Sequence, residues 1–251
     1  MIKLMHGDCL ERMKEIPDKS IDLILCDLPY GVTTNKIDVV IPFDKLWEQY
    51  KRIIKDNTAI LLFSQGMFYV DLVSSNREMF KYDLVWDKEL TSGFLNANKM
   101  PLRRHEQIAV FYNSQPTYNP QMVKGAINHY RKTTNEKLEV NRNYGDMKMV
   151  ECKYDGMKYP TSILDFQKPH PSISVHPTEK SVDLMSYLIK TYSNKGDLVL
   201  DNTMGSGTTG VACIECGRDF IGIEKDDEHF NTAKRRIRDA MPMFDRNLII
   251  D

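Results

Sequence analysis

No stretch of the 251-residue sequence is apolar without interruption over the length of a membrane span. The N-terminal MIKLMHGDCLERM has no signal-peptide core, so a cytoplasmic protein is expected. Cysteine is sparse: five residues, odd in number and irregular in position, exclude a disulfide framework. Cys213 and Cys216 form a lone C-x-x-C with no second pair at metal-ligand spacing; it reads as two small buried residues, and no metal site is expected. A formal charge of −1 leaves no global basic signature, so any nucleic-acid surface has to be local. What remains is an ordinary hydrophobic and charged content, enough for a sizeable core in one large α/β domain or one domain with an insertion.

The chain is organised around LVLDNTMGSGTTGVACIECGRDFIGIE, residues 198–224. A short apolar run ends in Asp201, turns through Gly205-Ser206-Gly207 and enters a helical pattern that closes near Gly217. Such glycines let the backbone approach a ligand closely. A second apolar run then ends in Glu224, where an acid commonly bonds the hydroxyls of a ribose. Gly205, Gly207 and Gly210 also match the dinucleotide fingerprint, with Glu224 about 20 residues on, so the motif implies a nucleoside without saying which. A glycine turn that only packs a helix on a sheet is the alternative reading of the isolated match.

Ile21-Asp22-Leu23-Ile24-Leu25-Cys26 reads as a strand buried on both faces, and it ends in Asp27-Leu28-Pro29-Tyr30. It delivers an acid, a stiffened turn and an aromatic to the carboxyl edge of a parallel sheet, where open α/β folds place their ligands. Seven candidate strands lie near residues 2, 22, 59, 83, 108, 198 and 220, mostly separated by helical patterns. The strands near 83 and 108 have no helix between them and are expected to pair antiparallel. Residues 115–160 break the pattern: eight basic residues against five acids, interleaved with Tyr118, Tyr130, Tyr144, Tyr154 and Tyr159. That composition suits phosphates and stacked bases, and equally a long solvated insertion. Thr178 is the expected N-cap of a helix with Val182, Met185, Leu188 and Ile189 on its apolar stripe. Phe63 and Gln65 end a strand at the same sheet edge, in ligand contact or in an ordinary loop.

The tetrad Asp27-Leu28-Pro29-Tyr30, combined with the glycine loop, resembles the amino-group DNA methyltransferases, in the permuted motif order called the β group. Gly7-Asp8-Cys9-Leu10, Trp86-Asp87-Lys88 through Gly93-Phe94 to His105-Glu106, and His176-Pro177-Thr178-Glu179-Lys180 are similar to further family segments in the same order, so the resemblance covers nearly the whole chain. It implies an α/β, Rossmann-like, open seven-stranded, mostly parallel sheet with helices on both faces and an inserted recognition region. Residues 1–114 would be the catalytic part, 115–160 the DNA target-recognition insertion, and 161–251 the cofactor-binding part. The implied cofactor is S-adenosylmethionine and the implied partner double-stranded DNA, with no membrane; the group also admits a homodimer. Asp27, Leu28, Pro29 and Tyr30 would be catalytic. Asp8 and Cys9 would lie at the cofactor adenine, Glu224 at its ribose, and Asp201, Met204, Gly205, Ser206 and Gly207 about its methionine part, with Thr178 and Lys180 near the amino-acid end.

Leu28 departs from the family's usual proline; the role assigned to that position uses the backbone carbonyl, which leucine keeps. An acid at the first tetrad place is typical of adenine-N6 enzymes, so adenine is favoured over cytosine-N4. No Pro-Cys pair is present for ring-carbon methylation. A catalytically inactive DNA-binding relative and a dinucleotide-binding oxidoreductase remain as alternatives.

Overall fold

A computed structural model describes residues 1–32, 38–125, 156–168, 180–242 and 248–251. It contains two compact units, residues 1–119 with 161–251, and residues 120–160. In chain order the first unit runs β1 (Ile2–His6), α1 (Cys9–Arg12), β2 (Ile21–Asp27), α2 (Phe43–Ile53), β3 (Ile54–Ser64), α3 (Gly66–Ser75), β4 (Phe80–Ser92) and β5 (Arg103–Phe111). The second unit contributes a short antiparallel pair, β6 (Val123–Lys124) with β7 (Met157–Lys158). The first unit resumes with β8 (Ile163–Asp165), α4 (Val182–Tyr192), β9 (Leu198–Asp201), α5 (Thr208–Cys216), β10 (Asp219–Glu224), α6 (Asp227–Ala240) and β11 (Leu248–Ile250).

One nine-stranded sheet results, in the order β11-β1-β10-β9-β2-β3-β5-β4-β8. All seven expected strands are in it, and the short β8 and β11 extend its two edges. Only β5 runs against its neighbours β3 and β4, as the missing crossover helix requires. Buried residues of α4, α5 and α6 pack on one face, and those of α1, α2 and α3 on the other. Central strands are therefore apolar on both sides: every residue from Leu23 to Cys26 and from Ala59 to Phe63 is buried. In α2 the helical spacing of Leu46, Trp47, Tyr50 and Ile53 is the buried stripe. Cys213 and Cys216 are buried in α5. The N-cap of α4 is Ser181, not Thr178. Thr178, like most of the basic and tyrosine-bearing stretch before residue 156, lies outside the described residues. Among the described residues, no helix is long and apolar enough to cross a membrane.

Candidate active site

Strand register brings the two sequence-distant motifs to one rim. Leu200 of β9 pairs with Ile24 of β2, and Asp201 with Gly222 of β10. Asp27 and Glu224 therefore stand at one height, each two residues beyond Asp201 and on either side of it. Two strand spacings put their backbones about 10 Å apart. Side-chain bonds lock the arrangement. Thr203 Oγ1 donates to the Asp27 carbonyl at 3.0 Å. Asn202 Oδ1 accepts from the Tyr50 hydroxyl at 2.6 Å and from the Cys26 thiol at 2.8 Å.

Above this rim lies a cleft of about 350 Å³ lined by Asp8, Cys9, Asp27, Leu28, Pro29, Tyr30, Lys180, Asp201, Met204, Gly205, Ser206 and Glu224. Gly207 is the exception among the described candidates. Its φ is +82°, and a Cβ there would come within 2.9 Å of Ala233 Cβ in α6. It is glycine so that the loop can turn and helices can pack, and it is not part of the cleft wall. Gly205, with φ +50° and open space where a Cβ would project, leaves the backbone bare towards a ligand.

The Glu224 half of the cleft is acidic and already partly ordered. Glu224 Oε2 accepts from Gly205 N at 3.0 Å, and Oε1 from Lys225 N and Asp226 N at 2.9 and 2.8 Å. Three backbone donors hold the carboxylate still and leave acceptor capacity for a hydroxyl. Asp8 caps α1 through Leu10 N at 2.9 Å. Burial pushes the Cys9 thiol up to about 11, making it a neutral wall group. Ser206 Oγ accepts from Arg236 of α6 at 2.8 Å. Six acids line the cleft, Asp8, Asp27, Asp38, Glu106, Asp201 and Glu224, against Lys168, Lys180 and Lys225. That balance fits the cationic sulfonium of S-adenosylmethionine and opposes a dinucleotide pyrophosphate. The Gly205 amide, which such a pyrophosphate would need, is taken by Glu224.

On the other half, Asp27 Oδ1 accepts from the Tyr30 hydroxyl at 2.8 Å, and Oδ2 lies 3.0 Å from Lys180 Nζ. Lys180, expected near the amino-acid end of the cofactor, thus directs its ammonium to the tetrad. The same ammonium is 2.7 Å from Glu106 Oε2, and Lys88 Nζ is 3.2 Å from Glu106 Oε1. Phe63 and Trp86 present their rings to Lys180 at 4.8 and 5.6 Å. Burial raises the Asp27 carboxyl; the Lys180 cation opposes that and Glu106 adds to it, for a net rise. Burial would also raise Glu106, but Lys180 and Lys88 outweigh it and hold the group at about 2. Glu106 and Lys88 carried no role in the motif reading. Charged residues are common in β4 and β5, so nothing in the sequence set these two apart; their burial, with side chains 12% and 7% exposed, does. Gln65 lines the cleft too, its Oε1 accepting from Arg103 at 2.7 Å. Leu28 is buried in the core face shared with α1 to α3, which accounts for an apolar residue there. The Tyr30 ring lies 4.8 Å from that of Phe68.

Burial pushes Asp201 up to about 7, against hydrogen bonds from Thr209 Oγ1 (2.5 Å) and Thr203 N (3.1 Å). A raised acid stabilises the fold fully below its unfolded pKa, and that contribution is lost as pH climbs to the folded value. Asp201→Asn should therefore melt higher than the parent protein, by a margin that grows from about pH 4 to pH 7 and reaches at most about 4 kcal/mol. Thermal melts across that range check it; a constant margin would mean that Asp201 does not titrate there.

Residues 21–235 match the family model described as DNA methylase. The DNA adenine methyltransferase YhdJ of Escherichia coli (strain K12) is 29% identical over 248 residues, covering 93% of this chain and 82% of the relative. The Type II methyltransferase M.HinfI of Haemophilus influenzae is 25% identical over 272 residues, covering 95% and 69%. Among solved structures, that of the M1.HpyAVI-SAM complex superposes with a TM-score of 0.62 at 26% identity, covering 94% of this chain and 99% of that one. With the family model spanning most of its length and both motif segments meeting in one acidic cleft, the chain belongs to the DNA methylase family.

Proposed function

We propose that this protein transfers a methyl group from S-adenosylmethionine to the N6 amine of adenine within a specific sequence of duplex DNA in the cytoplasm. The observation that carries the reading is the cleft itself: an anchored nucleoside acid, Glu224, and a tetrad acid, Asp27, at equal height on either side of β9. Adenine-N6 is preferred to cytosine-N4 because the tetrad begins with an acid and because YhdJ is named an adenine methyltransferase.

When bound, S-adenosylmethionine supplies a methyl group made electrophilic by its positively charged sulfur. Glu224 would hold the ribose and Asp8 the adenine end, while Asp201, Met204, Gly205 and Ser206 would surround the methionine part. The adenine amine is a poor nucleophile because its lone pair is delocalised, so the chain has to hold it pyramidal and in line with the methyl. Asp27 accepts one amine hydrogen and the Leu28 carbonyl the other. Two of the roughly four lone-pair directions of Asp27 are used by Tyr30 and Lys180, which leaves capacity for the amine. As the C–N bond forms, the methyl–sulfur bond breaks and a neutral thioether leaves; the positive charge passed to nitrogen lies beside the Asp27 carboxylate, which stabilises it until the proton departs to solvent. Lys180 acts as a positioning residue that favours the ionised form of Asp27. The target base has to leave the duplex to reach the cleft, and Pro29 and Tyr30 receive it, the tyrosine ring offsetting lost stacking. Residues 115–160, with their tyrosines and surplus of cations, are the proposed sequence reader.

Incubating the purified protein with methyl-labelled cofactor and unmethylated DNA, then digesting the DNA to nucleosides, tests the reading. Label should appear in N6-methyladenine; label in N4-methylcytosine overturns the base assignment, and unlabelled DNA overturns the activity.

A further inference from the structure

β4 and β5 do not stop at the rim. Asp27 is level with Phe63, Phe63 with Ile108, and Ile108 with Leu84. Pairing nevertheless continues to Ser92 with Arg103, five residues past that level. The ribbon therefore projects roughly 17 Å beyond the catalytic acid, at about 3.4 Å per residue. Its register slips between Asp87 and Ser92, and Glu89 there holds φ 55°, a left-handed backbone that is unfavourable for a residue other than glycine. Such a bulge re-aims the end of a strand pair and is found beside functional sites. At the outer end of this pairing Arg103 is tied to the cleft residue Gln65.

The tip is apolar and bare: Phe94 is 75% exposed and Leu95 84%. Across residues 91–104 there is no acid and there are three cations, Lys99, Arg103 and Arg104. Arg104 is paired with Asp87 at 2.6 Å and Arg103 with Gln65, whereas Lys99 stands within the acid-free tip segment itself. An apolar tip that carries a cation and projects past the level of Asp27 matches a polyanion with stacked bases inside it. We infer that the β4–β5 ribbon is a duplex-opening arm, whose Phe94-Leu95 tip wedges into the base stack beside the extruded base while Lys99 meets phosphate. Apolar wedges of this kind offset the unstacking of a base step. The inference rests on the proposed DNA substrate and adds to it the surface that opens the helix.

The test compares the parent protein with Phe94→Ala/Leu95→Ala, whose exposed side chains leave the melting temperature unchanged. Both are assayed on a duplex carrying the site found by sequencing modified bases, and on the same duplex with the target base mispaired. The variant should transfer methyl about tenfold more slowly to the paired duplex. That deficit should shrink to about twofold or less on the mispaired one, where opening costs least. Lys99→Ala should lower the slope of log affinity against log salt by about 0.9. Equal rates on the paired duplex overturn the inference, as does an equal loss on both substrates or the conversion of a dimer to monomers in sedimentation, which would make the tip a contact between copies. A parent protein that methylates no DNA at all refutes the underlying reading rather than the arm alone.

Discussion

Asp27→Asn should lose about 10²–10³-fold in methyl transfer, some 3–4 kcal/mol of transition-state stabilisation, while its affinity for S-adenosylmethionine stays that of the parent protein. The amide keeps an oxygen for the Tyr30 hydroxyl; it loses the charge that faces the developing ammonium and the contact of Oδ2 with Lys180. The fold should tolerate the change, because Lys180 retains Glu106 at 2.7 Å. Cofactor binding should be spared because Glu224, the proposed ribose acid, stands across β9. Single-turnover transfer and cofactor-induced thermal shift measure the two halves separately. A pH profile adds a third readout. Asp27 works ionised and its carboxyl is raised, so activity should fall on the acid side at a pH above the usual aspartate value. In the asparagine variant that limb should vanish from the residual rate.

Glu106→Gln should produce the largest loss of stability. Lys88 and Lys180 have side chains only 7% and 9% exposed, and Glu106 is the anion between them. Removing one partner from a buried ion cluster costs about 3–5 kcal/mol, because the remaining charges stay desolvated. For a protein of this size that is a fall of roughly 10 °C in Tm. The pH dependence has a definite sign. A carboxyl held at about 2 contributes stability that is full above its ordinary value of 4.5 and drains away as pH falls towards 2. The gap in melting temperature between parent and variant should therefore narrow as pH drops through that window. Glu106 also raises Asp27, so the acid limb of the transfer rate should move to lower pH in the variant. A purely structural Glu106 would lower stability and leave that limb in place.

The features legible in the sequence were those written in local pattern. Apolar runs ending in Asp27, Asp201 and Glu224 announced strands whose ends line one cleft, because a strand buried on both faces leaves only its end for polar work. The missing crossover helix between residues 83 and 108 announced the one reversed strand for an equally local reason. The Lys88-Glu106-Lys180-Asp27 chain was not legible: it joins β4, β5, the residue before α4's cap and β2, and no spacing rule relates them. The motif match placed Gly207 with the cofactor residues; a Cβ there would meet Ala233 of α6, a packing demand that depends on tertiary contact and that no local pattern shows. Thr178 was expected to cap α4 because a threonine preceded an apolar stripe, but the helix starts later, at Ser181 as cap, where Lys180 is already held by two carboxylates.

The central claim is that cofactor and tetrad share one cleft, with the methyl donor aimed at the Asp27 side. Electron density from crystals grown with S-adenosylmethionine tests this directly. The ribose should lie on Glu224, with the sulfonium methyl pointing into the space bounded by Asp27 and Tyr30. A cofactor bound away from the Gly205 turn, or one whose methyl faces away from Asp27, would contradict the account.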